Sequence, residues 1–114
     1  MLNIYHNPQC KKSRAGLAYL ESKGVPFDII YYLKTPMTEA ELEKLLVKLN
    51  MKPAGVLRTQ EEYFKKNIKG RTFTDHELIR IICENPRLLQ RPIVEKEYSA
   101  VIGDPVENID RIIP

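Results

Sequence analysis

Between positions 5 and 14 the chain reads YHNPQCKKSR, and one short stretch thus holds a cysteine, a histidine, a serine and three cations. The chemistry this suggests belongs to a thiolate. The ionised sulfur is the nucleophile, and a free cysteine with a pKa of about 8.5 is only a few per cent ionised at neutral pH. Three features push Cys10 towards ionisation. It stands where strand and turn give way to a helix, so unpaired backbone N–H groups and the helix dipole favour a negative sulfur. His6 lies at the strand end, close enough in sequence to approach it. Lys11, Lys12 and Arg14 surround it with positive charge. Cations in a first helical turn are unfavourable by about 0.3–1 kcal/mol each. An anion at the helix start, whether the thiolate, a bound oxyanion or both, would offset that cost.

Cys10 and Ser13 form a Cys-x-x-Ser sequence. A dithiol oxidoreductase would carry a second cysteine at the fourth position. Serine cannot resolve a mixed disulfide, but it can donate a hydrogen bond to the thiolate or to a bound oxyanion. The chemistry is therefore monothiol, with resolution left to an external thiol such as glutathione. Each residue also has a plainer use. A cysteine at a helix start can pack as a small hydrophobe, paired lysines can form a solvated surface, and His6 can be an ordinary strand-end histidine. Cys83 shares an apolar helix face with Leu78, Ile79 and Ile82 and reads as core, and His76 in a first helical turn reads as exposed. Other chemistries find no support. A phosphatase loop of the Cys-x5-Arg kind needs arginine at position 16, where Gly16 stands. Two cysteines and two histidines this dispersed make no zinc ligand set, and there is no glycine-rich phosphate loop.

The elements that must position these residues follow from pattern. Leu2–Tyr5 is a short apolar strand broken by Asn7 and Pro8. Positions 11–23 read as a helix with Ala15, Leu17, Ala18 and Tyr19 on its apolar side and Gly24 as its C-terminal stop. FDIIYYL (27–33) is rich in β-branched and aromatic residues and reads as a strand. This strand–helix–strand order favours a parallel pair. Capping boxes at Thr38/Glu41, Thr59/Glu62 and Thr74/Glu77 predict a helical block over about 37–90 with no strand signal. RPIVEKEYSAVIG (91–103) reads as an antiparallel hairpin turning near Glu95–Glu97. A last helix follows, with Asp104 as N-cap and Pro105 at its first position. The expected fold is α/β and thioredoxin-like: a small mixed four-stranded sheet (βαβ then ββα) with a helical insertion at about 37–90.

The 114 residues, 43% of them apolar, suffice for one domain, 1–114, with a core that needs no disulfides. A net charge of +3 suits anionic small molecules, and no helix carries the dense basic stripe of a nucleic-acid binder. The N-terminal residues lack the apolar region of a signal peptide, and no apolar run approaches the ~20 residues of a membrane span. The expectation is a cytoplasmic protein, monomeric, with no bound cofactor or metal and no nucleic-acid or membrane partner.

Taken together, IYHNPQCKKSR, FDIIYYL, the leucine-rich insert, RPIV and the turn after it resemble the glutaredoxin-coupled arsenate reductase family over essentially the whole chain. The resemblance implies that Cys10 is the nucleophile that forms a thiol–arsenate adduct, which glutathione and glutaredoxin reduce to release arsenite. It implies that His6 lies beside Cys10 and lowers its pKa, with Ser13 as a hydrogen-bonding neighbour. Arg58 and Arg91 would be oxyanion ligands, with Lys11 and Arg14 as further positive groups, and Pro92 would carry a cis peptide facing the cysteine. Arginine's fork matches a tetrahedral anion better than lysine's point charge. Without the resemblance, Arg58 would read first as an exposed residue before a helix and Arg91 as a surface residue entering a strand. One departure stands out: the family's third arginine, before a proline after the last strand, is replaced here by Asp104 in GDP. Two alternatives share the fold or the chemistry. One is a redox-sensing transcription regulator that binds RNA polymerase, and the other is a monothiol oxidoreductase acting on glutathionylated substrates.

Overall fold

A computed structural model describes all residues, 1–114. Strands β1 (Leu2–Tyr5), β2 (Phe27–Ile30), β3 (Ile93–Glu95) and β4 (Ala100–Ile102) form one sheet in the order β2-β1-β3-β4. β1 and β2 run parallel, joined across helix α1 (Lys11–Ser22), and β3 is antiparallel to both β1 and β4. The mixed sheet and the placement of the insertion are those expected. Strand β2 ends at Ile30, earlier than its pattern suggested: Lys34 N–H bonds back to the Tyr31 carbonyl and turns the chain. Tyr31 is left outside, while Tyr32 is buried.

The face that α1 buries differs from the one its apolar residues suggested. Ser13, Gly16 and Leu20 face inward, while Ala15 and Ala18 are exposed. The cause is a close approach. A Cβ on Gly16 would lie 2.4 Å from Pro92 Cγ, and one on Gly103 would lie 3.1 Å from the same atom. Two glycines therefore let α1 and the end of β4 close around Pro92, whose peptide bond with Arg91 is cis. Gly24 ends the helix at positive φ, as its position suggested.

The insertion contains α2 (Glu39–Leu49), α3 (Glu62–Asn67) and α4 (Asp75–Glu84), with short 3-10 turns at Pro53–Val56 and Pro86–Leu88. Thr38 and Thr74 form complete capping boxes with Glu41 and Glu77. The expected box at Thr59/Glu62 does not form. Glu61 is the N-cap of α3, without a side-chain bond, because Glu61 is held by Arg58 instead. Nor is the block free of β pairing, since Leu57 and Leu89 form an antiparallel bridge. Leu42, Leu45, Leu46, Leu78, Ile79 and Ile82 pack with Tyr5, Tyr32 and Ile93 in the larger core on one face of the sheet. The other face packs Leu20 and Ile109 against Ile4 and Val94. A buried polar link ties α2 to the sheet: Glu95 accepts from Tyr5 Oη (2.7 Å) and Lys48 Nζ (3.0 Å).

The expected last helix is a 3-10 segment, Val106–Arg111. Asp104 is not its N-cap. The Asp104–Pro105 peptide is cis, Pro105 is the capping residue, and the Asp104 carboxylate turns to Lys12.

Candidate active site

Cys10 is the N-cap of α1, in extended conformation, immediately beyond the C-terminal end of β1. Asn7 builds the turn that brings it there: its carbonyl accepts from Cys10 N–H and its side-chain oxygen from Gln9 N–H. The sulfur is unpaired and half-buried. Burial alone would push its pKa up. The backbone N–H groups of Ser13 and Lys12 oppose this, joined by the charges of Arg91 and Arg58, and the balance holds the thiol below its ordinary value. No acidic residue occupies the first turn of α1 to compete for those N–H groups.

His6 does not act on the sulfur in the way anticipated. Its Nδ1 and Ser13 Oγ share a hydrogen bond of 2.7 Å, and Ser13 Oγ also accepts from Asn7 N–H at 2.9 Å. All three residues are buried. Burial lowers the pKa of His6 and so disfavours its charged form. Its hydrogen bond holds Ser13, whose backbone N–H faces the sulfur. Ser13 serves Cys10 by its backbone N–H, while its hydroxyl belongs to the His6–Asn7 cluster.

The arginines come from far along the chain. Arg91 precedes the cis-proline and is 6% exposed. Its Nη1 donates to the carbonyls of Arg87 (2.8 Å) and Leu89 (3.0 Å), which fixes the guanidinium. Arg58 is brought alongside by pairing that the helical pattern did not signal. Arg58 N–H donates to Leu88 O at 2.7 Å, Gln90 N–H donates to Val56 O at 2.8 Å, and the Leu57–Leu89 bridge lies between them. Cys10, Lys12, Arg58, Gln90, Arg91 and Asp104 line a cleft of about 160 Å³. An adjoining, more open concavity adds Lys11, Glu61 and Arg87. A larger, mainly apolar groove at the opposite end of the sheet, between Met1, Val25, Tyr98 and Ile112, contains no cysteine, histidine or arginine.

Two of the cleft's cations are already paired. Arg58 Nη1 meets Glu61 Oε2 at 2.6 Å, and Lys12 Nζ meets Asp104 Oδ2 at 3.0 Å. Arg14 is not part of the cleft, contrary to expectation, because its Nη1 donates to the Pro8 carbonyl at 2.9 Å on the exposed side of the loop. Sequence reasoning missed Glu61, Gln90 and Arg87. Glu61 carried a weak signal, an opposite charge three residues beyond Arg58, within reach across a turn. The other two are placed by long-range pairing. Cys83 is half-buried, with its thiol pushed up by burial, consistent with a packing role. His76 is exposed and pairs with Glu39. Among these residues no cluster could hold a metal ion, and no helix is long and apolar enough to cross a membrane.

A parallel β1–α1–β2 unit, a cis-proline leading into β3 and a helical insertion that brings an arginine to a helix-capping cysteine define a thioredoxin-like protein with one thiol in a cation-lined cleft. The chain belongs to the ArsC family, whose model matches residues 5–112. It is 36% identical to an arsenate reductase of Neisseria meningitidis, over 98% of this chain and 97% of that one. It is 39% identical to the Escherichia coli protein YfgD over 98% of its length and 96% of that protein's. The structure superposes on that of an arsenate reductase from Vibrio cholerae with a TM-score of 0.93 at 36% identity, covering 98% and 97% of the two chains.

Proposed function

We propose that this protein is a monothiol reductase of arsenate. The observation that carries the reading is a thiol on a free helix N-terminus, in one cleft with the guanidinium groups of Arg58 and Arg91. Thiolate attack on an oxyanion brings two negative species together, so neutralising charge must be in place beforehand. Here Arg91 is fixed by two carbonyls before any substrate arrives. In the proposed reaction the Cys10 thiolate bonds to arsenic and an arsenate oxygen leaves as water after protonation. A glutathione thiol then supplies the second sulfur. Two thiols become one disulfide, and the two electrons released reduce As(V) to As(III), freeing arsenite. Glutaredoxin with glutathione reduces the resulting Cys10–glutathione disulfide. Cys10 thus needs no partner cysteine, consistent with Ser13 being engaged by His6 and Asn7.

Pure protein incubated with arsenate, glutathione and glutaredoxin should release arsenite, and Cys10→Ser should abolish that release. Absence of arsenite from the wild-type reaction overturns this reading. One observation favours a second: Glu61 and Asp104 place two carboxylates among the cleft's cations. A cleft so balanced suits a mixed disulfide carrying both ammonium and carboxylate groups, as a glutathionylated substrate does. In that case Cys10 takes over the glutathionyl group, the substrate thiol leaves, a second glutathione restores Cys10 with formation of glutathione disulfide, and no arsenite forms.

A further inference from the structure

Arg58 does not enter the Cys10 cleft as a free cation. The backbone turns at residues 58–61, where Glu61 N–H donates to the Arg58 carbonyl at 3.2 Å, and Arg58 N–H anchors the turn on the Leu88 carbonyl at 2.7 Å. This sets the Glu61 carboxylate on the guanidinium, with Oε2 accepting from Arg58 Nη1 at 2.6 Å. Both side chains are mostly buried, with exposures of 19% and 22%. The cleft's other ion pair, Lys12 with Asp104, is exposed at 62% and 42%, so water screens it. Glu61 Oε1 takes no hydrogen bond within the protein and is not sealed from solvent.

Glu61 lines the concavity beside Cys10 together with Lys11, Lys12, Arg58, Arg87 and Arg91, and it is the one carboxylate there. A site for a fully ionised anion gains nothing from a carboxylate in its wall. The carboxylate can only accept hydrogen bonds, and it meets the acceptor oxygens of such an anion with like charge. A protonated oxyanion differs, because its hydroxyl donates, and a hydroxyl on a carboxylate makes a short, charge-assisted bond. Tetrahedral oxyanions divide on this point at neutral pH. Arsenate and phosphate still carry a proton, whereas sulfate is fully ionised and has no donor. A site built to bond a substrate hydroxyl rejects an analogue lacking it far more strongly than a small difference in size would allow.

We propose that Glu61 is a specificity-determining residue of the Cys10 site, accepting a hydrogen bond through Oε1 from the hydroxyl of a protonated oxyanion and excluding fully ionised sulfate. Arg58 holds the carboxylate by Oε2 and keeps other N–H donors for the anion itself. Asp104 has no such part, because its pair with Lys12 lies in the exposed rim, where charge discriminates weakly. This rests on reading the cleft as an oxyanion site and names the class of oxyanion that it admits.

Arsenate, phosphate and sulfate share a tetrahedral shape, so the protein's choice among them reads the proton. At neutral pH and fixed ionic strength, each anion is titrated against the rate at which iodoacetamide alkylates Cys10, in the wild type and in Glu61→Gln. Arsenate and phosphate should protect the wild type at concentrations about tenfold or more below that of sulfate, the factor expected for a hydrogen bond to a charged group. Glutamine keeps the size and the bond to Arg58 but removes the charge and offers an N–H to the anion. Sulfate protection should therefore strengthen about tenfold in the variant, and the preference should collapse. A wild type that sulfate protects as well as phosphate does, or a variant that keeps the preference, overturns the proposal. The wild-type comparison decides alone if the variant does not fold. If the preference is present and collapses in Glu61→Gln, yet the reductase assay releases no arsenite, Glu61 keeps its role and the proposed function falls. If arsenite is released and the preference is absent, only the role of Glu61 falls. Protection by none of the three anions overturns both.

Discussion

At the residue scale, Cys10 is held by groups on several sides: the N–H groups of Lys12 and Ser13, the fixed guanidinium of Arg91 and the partly paired Arg58. The nucleophilic role proposed for it is suggested by its neighbours, because a cysteine ahead of two lysines at a helix start is a local conflict that an anion resolves. The placement of His6 is not, because nothing in sequence spacing says that a buried imidazole will bind Ser13. A consequence follows for acid stability. The folded state resists protonating His6, whose pKa is lowered by burial. The unfolded chain takes up that proton near its ordinary pKa of about 6.5. Below that pH the unfolded state binds more protons, so stability falls as the solution is acidified. Urea denaturation at pH 7 and pH 5 should show a lower midpoint at pH 5, and His6→Gln should shrink the difference. Asp104 gives a second prediction. Its carboxylate neutralises Lys12 at 3.0 Å, so Asp104→Asn should tighten arsenate binding several-fold while Cys10 remains reactive, as measured by calorimetry. An unchanged affinity would mean that Lys12 contributes nothing to the anion site.

At the scale of elements, strand–helix–strand order, the two end capping boxes and the β3–β4 hairpin follow directly from pattern and composition. The contacts that focus the site do not. The buried face of α1 contains Ser13 and Gly16, neither of which is hydrophobic, so periodicity pointed to the wrong side. Gly16 is set by its approach to Pro92. Alanine at a helix interior is normally favoured over glycine by about 1 kcal/mol. Here the clash at 2.4 Å should reverse the sign, and Gly16→Ala should destabilise by about 1–3 kcal/mol in chemical denaturation. The threonines make a matched comparison. Thr38→Ala removes a formed capping bond and should cost about 1 kcal/mol. Thr59→Ala, where the same motif is present but no box forms, should change stability by less than about 0.5 kcal/mol.

Across the whole molecule, the helical insertion packs Leu42, Leu46 and Ile82 against one face of the sheet and returns the chain twice past the cysteine, first with Arg58 and then with Arg91. The Leu57–Leu89 bridge joins those two passes. No local pattern announces it, because a single-residue pairing across more than thirty positions has no periodicity to read. The resemblance to a family pointed to both arginines; composition alone would have left them on the surface. In the proposed reaction the cleft's cations would act on the anion partly through exposed groups such as Lys12. Arsenate affinity should therefore fall several-fold between low salt and ~1 M, where the screening length is only about 3 Å.

All of this depends on Cys10 being ionised at neutral pH. Titrating the ultraviolet absorbance of the thiolate, wild type against Cys10→Ser, measures that directly. The account predicts a transition lost in the serine variant, with its midpoint below the ordinary cysteine value of about 8.5. A midpoint at or above that value would contradict it.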